Sequence, residues 1–276
     1  MADRLMAVLV RASALLVVAV LFWVLGDVLL NGLSRLSWSF LVEQPRDAGR
    51  MGGIGPIVVS TLLILLVALG AALPLGLGVA VWLAEFAYQR RSFAKTVRLT
   101  LDVLAGVPSI VYGLFGNAFF SLFLGLRFSI LAGGLTLACM ILPVFIRTVE
   151  VGLSAVNDDW RRGAVSLGMT RVSAIWHILL PAASPAIAAG LILGIGRATA
   201  ETAALIFTSG YVDRMPSSLM DSGRALAVHI YDLSMNVAGG DQAAYASAFA
   251  LIVLIILLTA LAQYLTDHWF SRRTMT

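Results

Sequence analysis

Six apolar runs, each long enough to cross a bilayer as a helix, limit what this chain can fold into. The hydrocarbon core of a membrane is spanned by roughly 20 apolar residues in helical form. Runs of that kind lie at about Met6 to Leu30, Ile57 to Ala84, Val103 to Leu124, Phe128 to Val149, Pro185 to Thr208 and Tyr245 to Thr266. In lipid each backbone N–H and C=O must find a partner within the protein, so each run is expected to be a helix. The expected fold class is all-α, a polytopic membrane protein of six transmembrane helices. Asp102, Pro108, Gly113, Gly116 and Asn117 interrupt the third run, which predicts a broken helix facing protein or a water-filled cavity. Pro74 predicts a kink in the second.

Composition excludes a water-soluble alternative. Hydrophobic residues make up 60% of the 276 and charged ones 12%, against about 25% charged in soluble domains. A net charge of +4 would suggest nucleic acid in a soluble protein; here it reflects arginines kept in loops on one side of a membrane. Cys139 is the only cysteine, which excludes an intramolecular disulfide. The first run follows Arg4 and contains Arg11. It exceeds the roughly 7–15 apolar residues of an export signal and has no convincing small-x-small site, so an uncleaved first span is expected. His177, His229 and His268 show no metal-ligand spacing. Trp82 and Trp269 fall near span boundaries, where aromatic anchoring accounts for them.

The arginines also predict orientation. One set of loops holds Arg4, Arg90, Arg91, Lys95, Arg98, Arg161, Arg162, Arg171, Arg272 and Arg273; the other holds Arg35, Arg46, Arg50, Arg127, Arg214 and Arg224. The richer set should be cytoplasmic, which puts both termini inside. Two loops are long, a cytoplasmic one of about Glu150 to Ser184 and an external one of about Ser209 to Ala244.

In the cytoplasmic loop, Asn157 or Asp158 can cap a helix whose first turn carries Asp158 and Asp159. Helix is expected through Leu167, then a turn at Gly168, then a second piece from about Arg171 to Leu180 that ends before Pro181. On charge alone, this is equally a solvated basic loop that enforces topology.

Arg197 and Glu201 lie inside the fifth run. A charge at the bilayer centre costs about 2.5–3.5 kcal/mol, so compensation is required. Four residues apart, the two should lie one turn apart on one helix face, in a stripe with Gly190, Gly194 and Thr208, opposite Ile192, Ile195, Thr199 and Ile206. That stripe should face the bundle. Three explanations stand: a structural ion pair, a proton relay in a secondary transporter or membrane enzyme, and an anion path in which Arg197 offers a fork of donors.

Several segments resemble one family. Gly168, nine residues, then Ile178-Leu179-Leu180-Pro181 is similar to the loop by which membrane subunits of ABC importers dock their ATPase, with Arg162-Gly163-Ala164 where that family has Glu-Ala-Ala. Leu104-Ala-Gly-Val-Pro-Ser-Ile-Val-Tyr-Gly-Leu-Phe115, Gly52-Gly-Ile-Gly-Pro56, Leu73-Pro-Leu-Gly76 and Arg197-Ala-Thr-Ala-Glu-Thr-Ala203 resemble the permeases of the phosphate-specific ABC importer, of the A-type rather than the C-type. Ala200 stands where that family has glycine.

The resemblance implies a type I ABC importer permease fold, with an N-terminal helix and external segment at 1–51 and a permease core at 52–276 that carries the coupling loop at about 150–184. It implies a subunit of the bacterial inner membrane that translocates inorganic phosphate by alternating access and is not itself an enzyme. No cofactor would be bound by this chain, ATP-Mg being used by a partner. The chain has no G-x-x-x-x-G-K-[ST] loop. Implied partners are a C-type permease, two copies of an ATPase and an extracytoplasmic phosphate-binding protein. Implied substrate-path residues are Arg197 and Glu201, with Thr208, Ser209, Ser109 and Tyr112 as weaker candidates. ATPase coupling would fall to Arg162, Gly163, Ala164, Gly168, Leu180 and Pro181, and Arg224 is a candidate contact for the binding protein. A permease for molybdate or sulfate, an ATP-independent transporter or membrane enzyme, and a regulatory role remain open alternatives.

Overall fold

The computed structural model describes residues 2–87 and 91–274, with side chains described for 4–87, 91–266 and 268. Arg90 and the side chains of Trp269, Arg272 and Arg273, used above for orientation and anchoring, lie outside the described residues.

Most of the described residues are helical. Helix α1 (Ala2–Leu33) leads into the short α2 (Trp38–Val42), a two-stranded hairpin of β1 (Pro45–Arg46) and β2 (Met51–Gly52), and α3 (Gly55–Val81). Next come α4 (Arg91–Ala105), α5 (Ser109–Gly116), α6 (Ile130–Ser154) and α7 (Asp158–Ser166). Then α8 (Arg171–Ala174), α9 (Leu180–Ala182), α10 (Ser184–Thr199), α11 (Ala203–Ile206), α12 (Leu226–Met235) and α13 (Asp241–Thr274) complete it. Wider π-helical turns follow α3 at Trp82–Phe86, α5 at Asn117–Phe123 and α8 at Ile175–Leu179.

Among the described residues four helices are long and apolar enough to span a membrane, and counting each of two bent pairs as one span gives six. The hub is α6, whose most apolar stretch is 67% buried, against 0% for α1. Glycines let its neighbours approach closely. A Cβ at Gly134 would lie 2.5 Å from Val67 of α3, and one at Gly152 would lie 2.0 Å from the Cβ of Ala186 in α10. Where lipid supplies no hydrophobic drive, such close backbone packing is a main source of helix association. Helix α1 leans mainly on α13, where Tyr245 donates to Asp27 at 3.0 Å.

The third run bends by 102° between α4 and α5, at Gly106–Pro108. Proline supplies no N–H there and forces the residue before it out of helical geometry. The Tyr112 hydroxyl donates to Leu104 O at 2.9 Å, across the elbow, satisfying a carbonyl that the break frees. Gly113 and Gly116, expected to interrupt the run, instead lie within α5 and pack against Ala204 and Thr136. Pro74 lies inside the unbroken α3.

The second bend is 68°, between α9 and α10 at Ala183. Helix therefore continues past Pro181, where it was expected to stop. The π-helical turn at Ile175–Leu179 widens the preceding turn and makes room for the proline ring.

Candidate functional site

The two interrupted runs meet each other. A Cβ at Gly113 would lie 2.8 Å from Ala204 Cα, so α5 and α11 are in backbone contact. Helix α10 ends at Thr199, whose hydroxyl turns back onto Ile195 O at 2.7 Å, and α11 starts only at Ala203. The backbone from Ala200 to Thr202 is therefore non-helical in the middle of an apolar run, tolerated only beside protein or water.

Arg197 occupies the last turn of α10, where the negative end of the helix dipole favours a cation. Glu201 lies beyond the helix end and its carboxylate accepts the Ala204 N–H at 3.2 Å, helping to start α11. The expectation of one helix face carrying both charges is therefore corrected. Among the described residues neither an ion pair nor a hydrogen bond joins them, and Arg197 has no hydrogen-bonded or ion-paired partner at all.

Arg197 is half-buried, at the edge between buried Gly194 and Ala198 and the uncovered stripe of Ala189, Leu193 and Ala200. Ile195 and Thr199, expected to face away from the bundle, are buried. The face this chain leaves open thus runs beside Arg197. Tyr112 is buried, and Ser109 shares its face of α5 three residues earlier. Thr208 and Ser209 are fully buried and donate to Ala204 O and Leu205 O, so the structure uses them in packing rather than on a surface.

A second polar cluster escaped the sequence reading, which placed Glu150 at the start of a loop and passed over Arg147. Glu150 lies inside α6, with its side chain 4% exposed, between Arg98 Nε at 2.5 Å and Arg147 Nη1 at 2.6 Å. Arg147 also reaches Asp102 at 3.0 Å, and Arg98 donates to Leu83 O at 3.1 Å. The chain of charges pins α4 to α6 and to the end of α3. The signal lay in the Arg147–Glu150 spacing of three, one helical turn.

At the same end of the bundle, α7 begins with the Asn157 side chain accepting from Asp159 N at 3.0 Å and ends before Gly168, whose φ is +71°. Arg162 and Gly163 are exposed, and Arg162 pairs with Asp159 at 3.1 Å. Ala164, Leu180 and Pro181 are buried. Gly168 supplies the left-handed turn that lets α8 double back.

At the opposite end Arg224 is a latch rather than a free group. Its guanidinium holds Asp232 at 3.2 Å, Tyr211 O at 2.8 Å and His229 Nδ1 at 3.3 Å. Burial and the neighbouring Arg224 charge push the His229 imidazole down to about 4, against the smaller opposing pull of Asp232.

Helices that break where an unpaired cation sits, inside a bundle with an amphiphilic helix standing off one end, define a membrane transport subunit. The chain belongs to the family of binding-protein-dependent transport system inner membrane components, whose model matches residues 72–273. It is 28% identical to the "Probable ABC transporter permease protein YqgI" of Bacillus subtilis (strain 168), over 99% of this chain and 97% of that one. It is 32% identical to the "Phosphate transport system permease protein PstA" of Yersinia pestis, over 95% of this chain and 88% of that one. Among solved structures, one titled "Crystal structure of a bacterial ABC transporter involved in the import of the acidic polysaccharide alginate" has a TM-score of 0.64 at 15% identity, covering 94% of this chain and 95% of that one. That likeness shows the fold, the helical ABC importer permease.

Proposed function

We propose that this chain is a transmembrane subunit of an ATP-driven importer of inorganic phosphate and that Arg197 lies on the phosphate path. The observation that carries this reading is Arg197 itself: a guanidinium deep in an apolar run, unpaired among the described residues, beside a face they leave uncovered. A cation so placed is costly unless something outside the chain compensates it. A second permease across that face and a hydrated anion between the two would do so. The planar fork of arginine suits the oxygens of a phosphate group. The names of the similar permeases support phosphate over molybdate or sulfate.

In this reading the α7 end faces the cytoplasm, both termini are inside, and Arg162, Gly163 and their neighbours meet a partner ATPase. The full assembly has one C-type permease, two ATPase copies and an extracytoplasmic binding protein. ATP-Mg is bound and hydrolysed by the ATPase, while this chain changes between two packings that expose the Arg197 region to opposite sides in turn. The Gly106–Pro108 and Ala200–Thr202 breaks are the joints around which such repacking takes place.

The test is ATP-driven uptake of radiolabelled phosphate into vesicles carrying the complete complex, with molybdate and sulfate as competitors. Phosphate uptake that needs ATP and resists the competitors supports the reading. Preferential uptake of another oxyanion, or uptake without any ATPase, contradicts it.

A further inference from the structure

Helix α7 is weakly packed for an element that would carry mechanical load. Among its residues only Ala164 is buried, and a cleft of about 370 Å³ lined by Glu85, Phe86, Arg161, Ala164, Met169 and Ile175 lies against it. Apolar contact across such a gap transmits little, because atoms separated by empty space can approach before they push.

One side chain bridges this region. While Arg162 points outward, 76% exposed, Arg161 turns inward. Its Nη2 meets Glu85 at 2.7 Å, and its Nε lies 3.2 and 3.3 Å from the two carboxylate oxygens of Glu85. Nη2 also donates to Leu153 O at 2.8 Å, while Nη1 donates to Val156 O at 2.7 Å and to Asp158 at 3.0 Å. Leu153 is in the last turn of α6 and Val156 lies just past it, where carbonyls lack partners within the helix. Glu85 sits in the π-helical turn that closes α3. A single guanidinium therefore ties α7 to the ends of both helices that form the middle of the bundle.

We propose that Arg161 and Glu85 form the strut that transmits displacement of α7 to α3 and α6, so that the pair positions the transport path without touching phosphate. This role rests on the reading of α7 as the element an ATPase moves. A planar fork is suited to it, since it fixes direction as well as distance. Binding of the ATPase itself falls to Arg162, which pairs outward with Asp159, and to the exposed Leu167 just past the end of α7.

The test compares wild type with Glu85→Gln and Arg161→Lys in the complete reconstituted transporter, reading ATPase co-purification, ATP hydrolysis and phosphate imported per ATP. Glu85→Gln keeps the shape and leaves the Arg161 bonds to Leu153 and Val156 in place, so the fold should survive. The expected result is unchanged ATPase capture, with phosphate per ATP down about tenfold, within the usual range of coupling energies. Arg161→Lys keeps one charged contact and should fall between. A wild-type phosphate-to-ATP ratio in Glu85→Gln overturns the proposal. So does loss of ATPase capture by that variant, which would make the pair a docking element. If wild type itself captures no ATPase or imports phosphate without ATP, the permease reading fails, and this role with it.

Discussion

Arg197 and Glu201 are four residues apart but stand on either side of a helix end, with the Glu201 carboxylate bonded at 3.2 Å to Ala204 N rather than to the arginine. The four-residue spacing makes a helical pair only if helix continues, and here it stops at Thr199. Glu201 thus serves the backbone and leaves the Arg197 charge available. Glu201→Gln keeps an oxygen acceptor for Ala204 N–H and should change stability by no more than about 1 kcal/mol. Thermal unfolding in detergent checks this. A loss of several kcal/mol would mean that the carboxylate's charge is structurally required.

Glu150 is the opposite case, a buried carboxylate between two arginines. Its replacement by alanine leaves two guanidiniums without their shared partner. Because both are about one-third exposed, water offsets part of the loss, and about 3 kcal/mol of destabilisation is expected. Asp102 is 55% exposed, so Asp102→Asn should cost under about 1 kcal/mol. Unfolding midpoints of the two variants, compared side by side, measure the difference.

Glycines at the α6 crossings should tolerate no side chain. Gly152→Val places atoms where even a Cβ would lie 2.0 Å from Ala186, forcing α6 and α10 apart at about 3 kcal/mol or more. Gly163 has open space around it in α7, so Gly163→Ala should stabilise by about 0.5–1 kcal/mol through helix propensity. Unfolding midpoints again separate the two, and similar midpoints would contradict the packing described.

His229 gives the α12 end a pH dependence. Its folded value of about 4 lies below the ordinary 6.5, so between those values the unfolded chain binds the additional proton. The stabilising contribution is complete above pH 6.5 and is lost as pH falls towards 4, on the order of 3 kcal/mol in all. Unfolding midpoints measured from pH 7 to pH 4 should therefore fall, and fall less in His229→Gln. Equal slopes would show that His229 is not held neutral.

Much of the fold is legible in the sequence, because the bilayer leaves an apolar run few options. The broken third run followed from Pro108, and the α7–Gly168–α8 unit followed from Asn157 and Gly168, although the Thr170 cap of α8 was not read. The site was less legible. No proline or glycine follows the end of α10 at Thr199, so the sequence carries no stop signal there, and the chain just beyond packs on α5 at Gly113. Arg161 and Glu85 are 76 positions apart, and nothing local pairs them. Gly113 and Gly116 read as breakers because glycine weakens a helix, whereas here close approach to Ala204 and Thr136 is what requires them.

Phosphate uptake by Arg197→Gln in the complete complex, with protein level and partner capture matched to wild type, tests the assignment most directly. Glutamine removes the charge and the fork while leaving α10 helical. The expected result is uptake reduced by about 100-fold or more, as for loss of a charge-assisted anion contact of about 3 kcal/mol. Uptake at the wild-type rate would show that phosphate crosses without Arg197.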